Sequence, residues 1–107
     1  IFQVSREMLS PVDAVYDRAA LVALPAEVRQ RYPAHLMEIT ATAPQLLICY
    51  EYDQALQAGP PFSVGRKELH RHYRESYRLT LLDSADVAGG LKGKCPAKEN
   101  VWLLNKR

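Results

Sequence analysis

The stretch Val12-Asp13-Ala14-Val15-Tyr16-Asp17-Arg18-Ala19-Ala20-Leu21-Val22-Ala23-Leu24-Pro25 places an apolar run, a charged pair and a helix start in close succession. The apolar run ends abruptly at Asp17 and Arg18, and Pro25 opens a helical pattern. In a parallel α/β sheet, ligands bind in the crevice beyond the carboxyl ends of the strands. We therefore predict a buried strand over residues 11–16, with Asp17 and Arg18 at its functional end.

The segment after Pro25 has the periodicity of a helix. Proline at the first helical position is well tolerated, because the N–H that it lacks would have no partner there. Apolar residues recur at helical spacing at Val28, Tyr32, Leu36 and Ile39. Pro33 interrupts the pattern, since a proline inside a helix costs about 3 kcal/mol. The sequence leaves two alternatives, a helix kinked at Pro33 or two short helices.

Residues 45–53 form the strongest strand pattern in the chain, with a continuous apolar half and a polar end. A loop over residues 54–63 follows, and it contains Gly59-Pro60-Pro61. Two successive prolines fix two φ angles and cannot continue a strand ladder. We expect a stiff loop of fixed shape directly after this strand.

The last third of the chain predicts one helix and two strands. A polar helix is expected over residues 66–75, with Leu69 and Tyr73 on its inward side. Residues 77–81 alternate between apolar and polar and predict a strand, and residues 101–104 predict the last one. The connection over residues 83–100 is expected to be a long loop, and such loops are uncommon in compact domains unless they are functional or disordered.

Composition narrows the possible function classes. A chain of 107 residues forms at most one domain, and 48% hydrophobic with 24% charged residues is typical of a soluble globular protein. The net charge of +2 is spread along the sequence, which argues against a nucleic-acid surface, and no apolar run approaches the length of a membrane span. Cys49 and Cys95 form no disulfide framework and indicate two reduced thiols in a cytoplasmic protein.

Two motifs carry a family resemblance. Asp17-Arg18-Ala19-Ala20-Leu21-Val22-Ala23-Leu24-Pro25 after a strand, followed later by Gly59-Pro60-Pro61-Phe62-Ser63-Val64, resembles the bacterial thiopurine S-methyltransferases. That family has a class I, Rossmann-like α/β fold, whose seven-stranded sheet ends in an antiparallel hairpin. The order of elements here is similar to strands four to seven. The resemblance implies a single partial methyltransferase domain over residues 1–107, the carboxyl-terminal portion, with the upstream cofactor-binding half absent.

The resemblance also implies site residues and a cofactor, S-adenosyl-L-methionine. Arg18 is implied as a catalytic residue that favours the ionised nucleophile, as a ligand of the cofactor carboxylate, or as both. Asp17 is implied as its catalytic partner, either orienting Arg18 or meeting a heteroaromatic N–H of the substrate. Ile1 and Phe2 fall where the family has the loop that flanks the adenine ring, so they are expected to bind the cofactor with Arg18.

Pro60, Pro61 and Phe62 are expected, by the same resemblance, to form a rigid lip at the substrate opening. Structural alternatives stay open at both places. Asp17 could be only a capping aspartate, and Phe62 could simply pack into the core. A second arginine that the family usually keeps in the long connection has no clear equivalent, and Lys92 or Lys94 could border the site. No spacing of His and Cys residues indicates a metal site.

The implied function is transfer of a methyl group from S-adenosylmethionine to a thiopurine or a related thiol, selenium or tellurium nucleophile. The expected enzyme acts on small molecules without nucleic acid or membrane partners and is monomeric at full length, and the 107-residue chain alone is expected to be inactive. Two alternatives remain open: a non-catalytic α/β binding or interaction module, and a methyltransferase of another substrate class with the same fold.

Overall fold

A computed structural model describes residues 12–18, 20–91 and 95–107. Its elements run in the order β1 (Val15–Asp17), a short 3-10 helix (Leu21–Ala23), α1 (Ala26–Arg29), α2 (Tyr32–Thr40), β2 (Gln45–Tyr52), α3 (Arg66–Tyr73), β3 (Tyr77–Asp86) and β4 (Ala97–Lys106). Strands and helices alternate through β3, and the chain then doubles back on itself in β4. The expected mixed α/β class is confirmed.

The strands form one four-stranded sheet in the order β1-β2-β4-β3. Strand β1 pairs in parallel with β2, and β4 lies antiparallel between β2 and β3. The two last strands therefore form an antiparallel hairpin, and the second of them inserts next to β2. This order is consistent with part of the class I methyltransferase sheet and confirms the expected fold class.

Pro33 separates two short helices rather than kinking one. Helix α1 ends at Arg29, and α2 starts at Tyr32 with the proline in its first turn. An N–H group at that position has no acceptor within the helix, so its absence in proline costs no hydrogen bond. Helix α2 ends at Thr40, and the next two residues, Ala41 and Thr42, both adopt positive φ. The second of the two alternatives left open by the sequence is therefore correct.

Two predicted boundaries were wrong. Strand β1 begins at Val15, and it includes Asp17 as its last residue instead of ending before it. The loop predicted over residues 83–100 is shorter than expected, because β3 continues to Asp86 and β4 starts at Ala97. Every residue from Thr80 to the end of β3 is exposed, so no alternating apolar pattern marks it. Backbone pairing with β4 extends the hairpin, with a bulge between Leu81 and Asp83, and the Ser84 hydroxyl donates a hydrogen bond to Asn100 Oδ1 across it.

One core holds the helices against the sheet. From the sheet it contains Leu47, Cys49, Trp102 and Leu104, all within 2% of complete burial. Helix α3 contributes Leu69 and Tyr73, which are fully buried as the sequence predicted. A smaller cluster of Leu91, Cys95 and Ala97 closes the end of the hairpin. Because β1 and β2 are parallel, their carboxyl ends point to the same side of the sheet.

The turn at the hairpin end requires glycine at position 90. Gly89 and Gly90 both have a φ of +76°, but a Cβ would meet open space at Gly89 and the backbone carbonyl of Cys95 at Gly90. The Gly89→Ala variant should lose about 1 kcal/mol of unfolding free energy, the cost of a left-handed alanine. The Gly90→Ala variant should lose about 2 kcal/mol, because a backbone clash is added. Urea unfolding of both variants measures the difference, and equal losses would contradict this packing.

Candidate active site

Asp17 fixes the turn that carries Arg18. Its carboxylate is 3% exposed and accepts hydrogen bonds on both oxygens. Oδ1 accepts from the N–H groups of Ala20 and Leu21, at 3.2 Å each, and Oδ2 accepts from the Tyr32 hydroxyl at 3.0 Å. The carboxylate therefore begins the 3-10 helix in the manner of an N-cap, while the exposed Arg18 side chain extends from the turn.

Burial raises the pKa of the Tyr32 hydroxyl well above its ordinary value, and the nearby Asp17 carboxylate raises it further. Tyr32 is thus held in its neutral form as a hydrogen-bond donor. With Oδ1 and Oδ2 both engaged inside the protein, Asp17 has the geometry of a positioning residue. Its contact is with the turn rather than with the open edge of the sheet.

The Gly-Pro-Pro-Phe loop is tied to the same turn from the other side. The Phe62 N–H donates to the Val22 carbonyl at 2.6 Å, and the Tyr52 hydroxyl donates to the Pro61 carbonyl. The peptide bonds before Pro60 and Pro61 are both cis. The Phe62–Val22 hydrogen bond joins the loop after β2 to the 3-10 helix after β1, so two separate parts of the sequence meet at one edge of the sheet.

A groove of about 350 Å³ opens where these two segments meet, and we call it the edge groove. Its lining consists of Arg18, Val22, Ala23, Tyr50, Pro60 and Pro61. The groove lies at the carboxyl ends of the parallel strands β1 and β2, where α/β sheets bind ligands. Its volume is near the lower end of the range typical of small-molecule sites, about 300–1,000 Å³.

The structure brings together three of the residues singled out from the sequence, Arg18, Pro60 and Pro61. Phe62 is half-buried, and its ring packs against Arg29, whose guanidinium carbon lies 5.2 Å from the ring centroid. Ile1 and Phe2 fall outside the residues that the structure describes, as do Lys92 and Lys94. The proposed roles of those four residues remain predictions.

Tyr50 and Glu99 were missed by the sequence reasoning. Tyr50 lines the edge groove, and Glu99 lies directly opposite it on β4. Burial raises the pKa of the Tyr50 hydroxyl, Glu99 raises it further through its charge and a side-chain hydrogen bond, and the charge of Arg18 acts in the opposite direction. The pairing depends on the register of two strands far apart in sequence, so no local signal could have revealed it.

An ion pair behind the loop was also missed. The Arg29 Nε donates to Glu68 Oε2 at 2.8 Å, and the His72 Nε2 lies 3.0 Å from the same oxygen. Arg29 also donates to the Leu24 carbonyl. Only 8% of the Arg29 side chain is exposed, although arginine is rarely buried unless it is paired. This cluster connects α1 to α3, and through the contact of Arg29 with the Phe62 ring it also connects both helices to the Gly-Pro-Pro-Phe loop.

Two further grooves lie away from the edge groove. One of about 750 Å³ runs along the hairpin end beside Glu51 and Lys98, and one of about 690 Å³ runs along the basic outer side of α3.

The described residues contain no group of three or more His, Cys, Asp and Glu side chains placed to hold a metal ion. Within the same part of the chain, no helix combines the length and apolar character that crossing a membrane requires.

The edge groove combines one cation with apolar walls and one phenol. A guanidinium beside a thiol favours the thiolate, because an opposite charge lowers the pKa of the acid. The same guanidinium can hold a carboxylate through two parallel hydrogen bonds. By contrast, burial raises the pKa of the Cys49 thiol, with the charges of Asp17 and Glu68 adding to the effect. Cys49 is therefore an inert core residue.

Comparison with known proteins identifies the family of the chain. The family model for thiopurine S-methyltransferase matches residues 1–107. The chain is 57% identical over 106 residues to a thiopurine S-methyltransferase of Xanthobacter autotrophicus, covering 99% of this chain and 50% of that protein. It is 50% identical over 105 residues to one of Gluconobacter oxydans, covering 98% and 48%. The chain spans about half the length of the curated relatives that it matches, and it belongs to the thiopurine S-methyltransferase family.

Proposed function

We propose that this chain supplies the methyl-acceptor side of an S-adenosylmethionine-dependent thiopurine S-methyltransferase. The observation that carries the proposal is the edge groove, where Arg18 and the Pro60-Pro61 lip face one cavity at the carboxyl ends of two parallel strands. The named relatives support the reaction class. The half-length match supports the further proposal that the chain is part of a longer enzyme. The antiparallel hairpin of β3 and β4 after the parallel strands supports its placement as the carboxyl-terminal portion.

The cofactor, when bound, supplies a methyl group on a sulfonium sulfur. Among the described residues, Arg18 fits the cofactor best, because its exposed guanidinium can bind a carboxylate or a soft anion. Ile1 and Phe2 are proposed to lie beside the adenine ring. The remaining groups that hold the cofactor are proposed to lie in the upstream half that this chain does not cover.

The protein's own contribution is positioning and charge. Arg18 stabilises the ionised form of the acceptor sulfur, and Asp17 holds the Arg18 turn in place. The Pro60-Pro61 lip restricts the acceptor to one orientation, which lowers the entropic cost of an in-line transfer. Pro60 and Pro61 are proposed to contact the substrate directly. Phe62 is proposed to contribute to substrate binding indirectly, by anchoring the loop that carries the two prolines.

We propose thiols as acceptors, together with selenium and tellurium nucleophiles, because all are soft anions that a guanidinium can hold. We also propose a monomeric, cytoplasmic enzyme. The two cysteines, Cys49 and Cys95, are free and buried, which is compatible with a reducing compartment.

Isothermal titration of S-adenosylhomocysteine tests the proposal. It is added to the 107-residue chain and to the complete gene product that carries this sequence. We expect binding by the complete product and none by the chain alone, because half of the cofactor crevice is proposed to lie upstream. Tight binding by the chain alone would contradict that division of the site. No binding by either would favour a non-catalytic binding module.

A further inference from the structure

Asp17 fixes the backbone on both sides of Arg18. It is the last residue of β1 and pairs there with Leu47 of β2, so the sheet holds the chain directly before Arg18. Directly after the turn, the N–H groups of Ala20 and Leu21 donate to Asp17 Oδ1, which holds the chain a second time. The position of the Arg18 side chain therefore depends on the orientation of the Asp17 carboxylate.

Tyr32 holds that carboxylate from a different part of the fold. Tyr32 is the first residue of α2 and is buried, and its hydroxyl donates to Asp17 Oδ2 at 3.0 Å. Of the three donors to Asp17, it is the one that comes from a side chain. Because the χ2 torsion of an aspartate is only weakly restricted, the bond to Oδ2 also fixes the direction in which Oδ1 faces the turn.

The 3-10 helix that the carboxylate begins is itself part of the edge groove. Val22 of this helix lines the groove, and its carbonyl accepts the Phe62 N–H at 2.6 Å. The helix therefore joins the Arg18 turn to the Gly-Pro-Pro-Phe loop. A bond that fixes the start of the helix also fixes the distance between Arg18 and that loop.

We propose that Tyr32 is a positioning residue of the edge groove, which acts on methyl transfer through Asp17 and Arg18. Tyr32 is not among the residues that line the groove, so its hydroxyl acts by holding the carboxylate and not by contact with an acceptor. This role rests on the proposed function. It predicts that removal of the hydroxyl lowers activity only while the guanidinium is present, because residues that act as one unit have non-additive effects.

A double-mutant cycle in the complete gene product tests this role, with 2-pyridinethione as the thiol acceptor. Tyr32→Phe should lower kcat/KM about tenfold, the effect of losing one hydrogen bond to a charged group. In an Arg18→Met background, the same change should lower kcat/KM by less than about twofold. Similar losses in both backgrounds, or no loss in the first, would overturn the positioning role and leave methyl transfer standing. If the unaltered protein methylates no thiol, the proposed function and the positioning role fall together.

Tyr73→Phe is the matched control. Tyr73 is fully buried in the same core, and its hydroxyl has no hydrogen-bond partner within the part of the chain that the structure describes. Removing this hydroxyl breaks no hydrogen bond, so kcat/KM should stay within about twofold of the unaltered value. A tenfold loss in this variant would also overturn the role of Tyr32, because it would show that any lost hydroxyl in this core lowers activity. Circular dichroism establishes that each variant is folded.

Asp17→Ser takes the place of Tyr32→Phe in the cycle if the latter does not fold. Serine can still begin the 3-10 helix as an N-cap, but its single oxygen lies one bond closer to the backbone and cannot also replace Oδ2. We again expect a loss of about tenfold alone and of less than about twofold beside Arg18→Met. Equal losses in the two backgrounds would overturn the role in this form as well.

Discussion

The Arg18→Met variant is expected to methylate a thiol acceptor with a kcat/KM about 100-fold below that of the unaltered protein, the usual cost of removing one charge-stabilising group from a site. Methionine keeps the length and the apolar contacts of the arginine stem and removes the guanidinium. Because Arg18 is exposed on its turn, the fold should not depend on it. Steady-state kinetics with 2-pyridinethione, at saturating S-adenosylmethionine, measures the loss.

The pH dependence of this variant separates the two roles that Arg18 could have. If Arg18 favours the ionised acceptor, its removal raises the pKa of the bound thiol, and raising the pH above that pKa should restore part of the rate. If Arg18 instead holds the cofactor carboxylate, the loss should be independent of pH and appear as weaker binding of S-adenosylhomocysteine.

Arg71→Met provides the control for a general loss of positive charge, because Arg71 is exposed on α3 and lines a different groove. It should leave kcat/KM unchanged. An Arg18→Met variant with full activity would contradict the assignment of the edge groove as the acceptor site. A variant with low activity and a lowered unfolding temperature would point to structural damage instead.

The meeting of Arg18 with Pro60 and Pro61 was predictable from sequence for a physical reason. Parallel strands end at the same edge of a sheet, so the segments that follow β1 and β2 must converge there. The Tyr50–Glu99 pair was not predictable in this way. It depends on the register between β2 and β4, and the strand pattern of β4 was recognised only over residues 101–104, beyond Glu99.

Asp17 illustrates a second limit of the sequence. A carboxylate after a strand can bind a substrate or cap the turn that follows, and the residue type is the same in both cases. Only the three donors that surround its oxygens distinguish them.

The exposed half of β3 illustrates a third limit, because a strand that buries neither face carries no periodic signal.

The Glu68→Met variant is expected to lose about 3 kcal/mol of unfolding free energy, because removing one partner of a buried ion pair leaves the other charge uncompensated. Arg29 would be that charge, since 8% of its side chain is exposed. Its guanidinium also packs on the ring of Phe62, so the loop that forms one wall of the edge groove should loosen with it. Urea unfolding of the complete gene product measures the loss.

The pH dependence of the Glu68 contribution has a definite sign. Burial raises the pKa of the Glu68 carboxyl, but the hydrogen bonds and charges of Arg29 and His72 outweigh it and hold the pKa below the ordinary value of 4.5. The unfolded chain therefore takes up a proton first as the pH falls. The stabilisation by Glu68 is fully present above that ordinary value and is lost as the pH falls through the lower, folded-state pKa.

Glu68→Gln isolates this charge, because glutamine keeps the shape and the hydrogen-bonding oxygen. The difference in unfolding free energy between it and the unaltered protein should be largest near neutral pH and shrink toward zero in acid. Glu38→Gln, at an exposed position on α2, is the control and should change stability by less than about 0.5 kcal/mol at any pH. A Glu68→Gln difference that stayed constant down to strong acid would mean that packing, and not the ion pair with Arg29, stabilises this side of the groove.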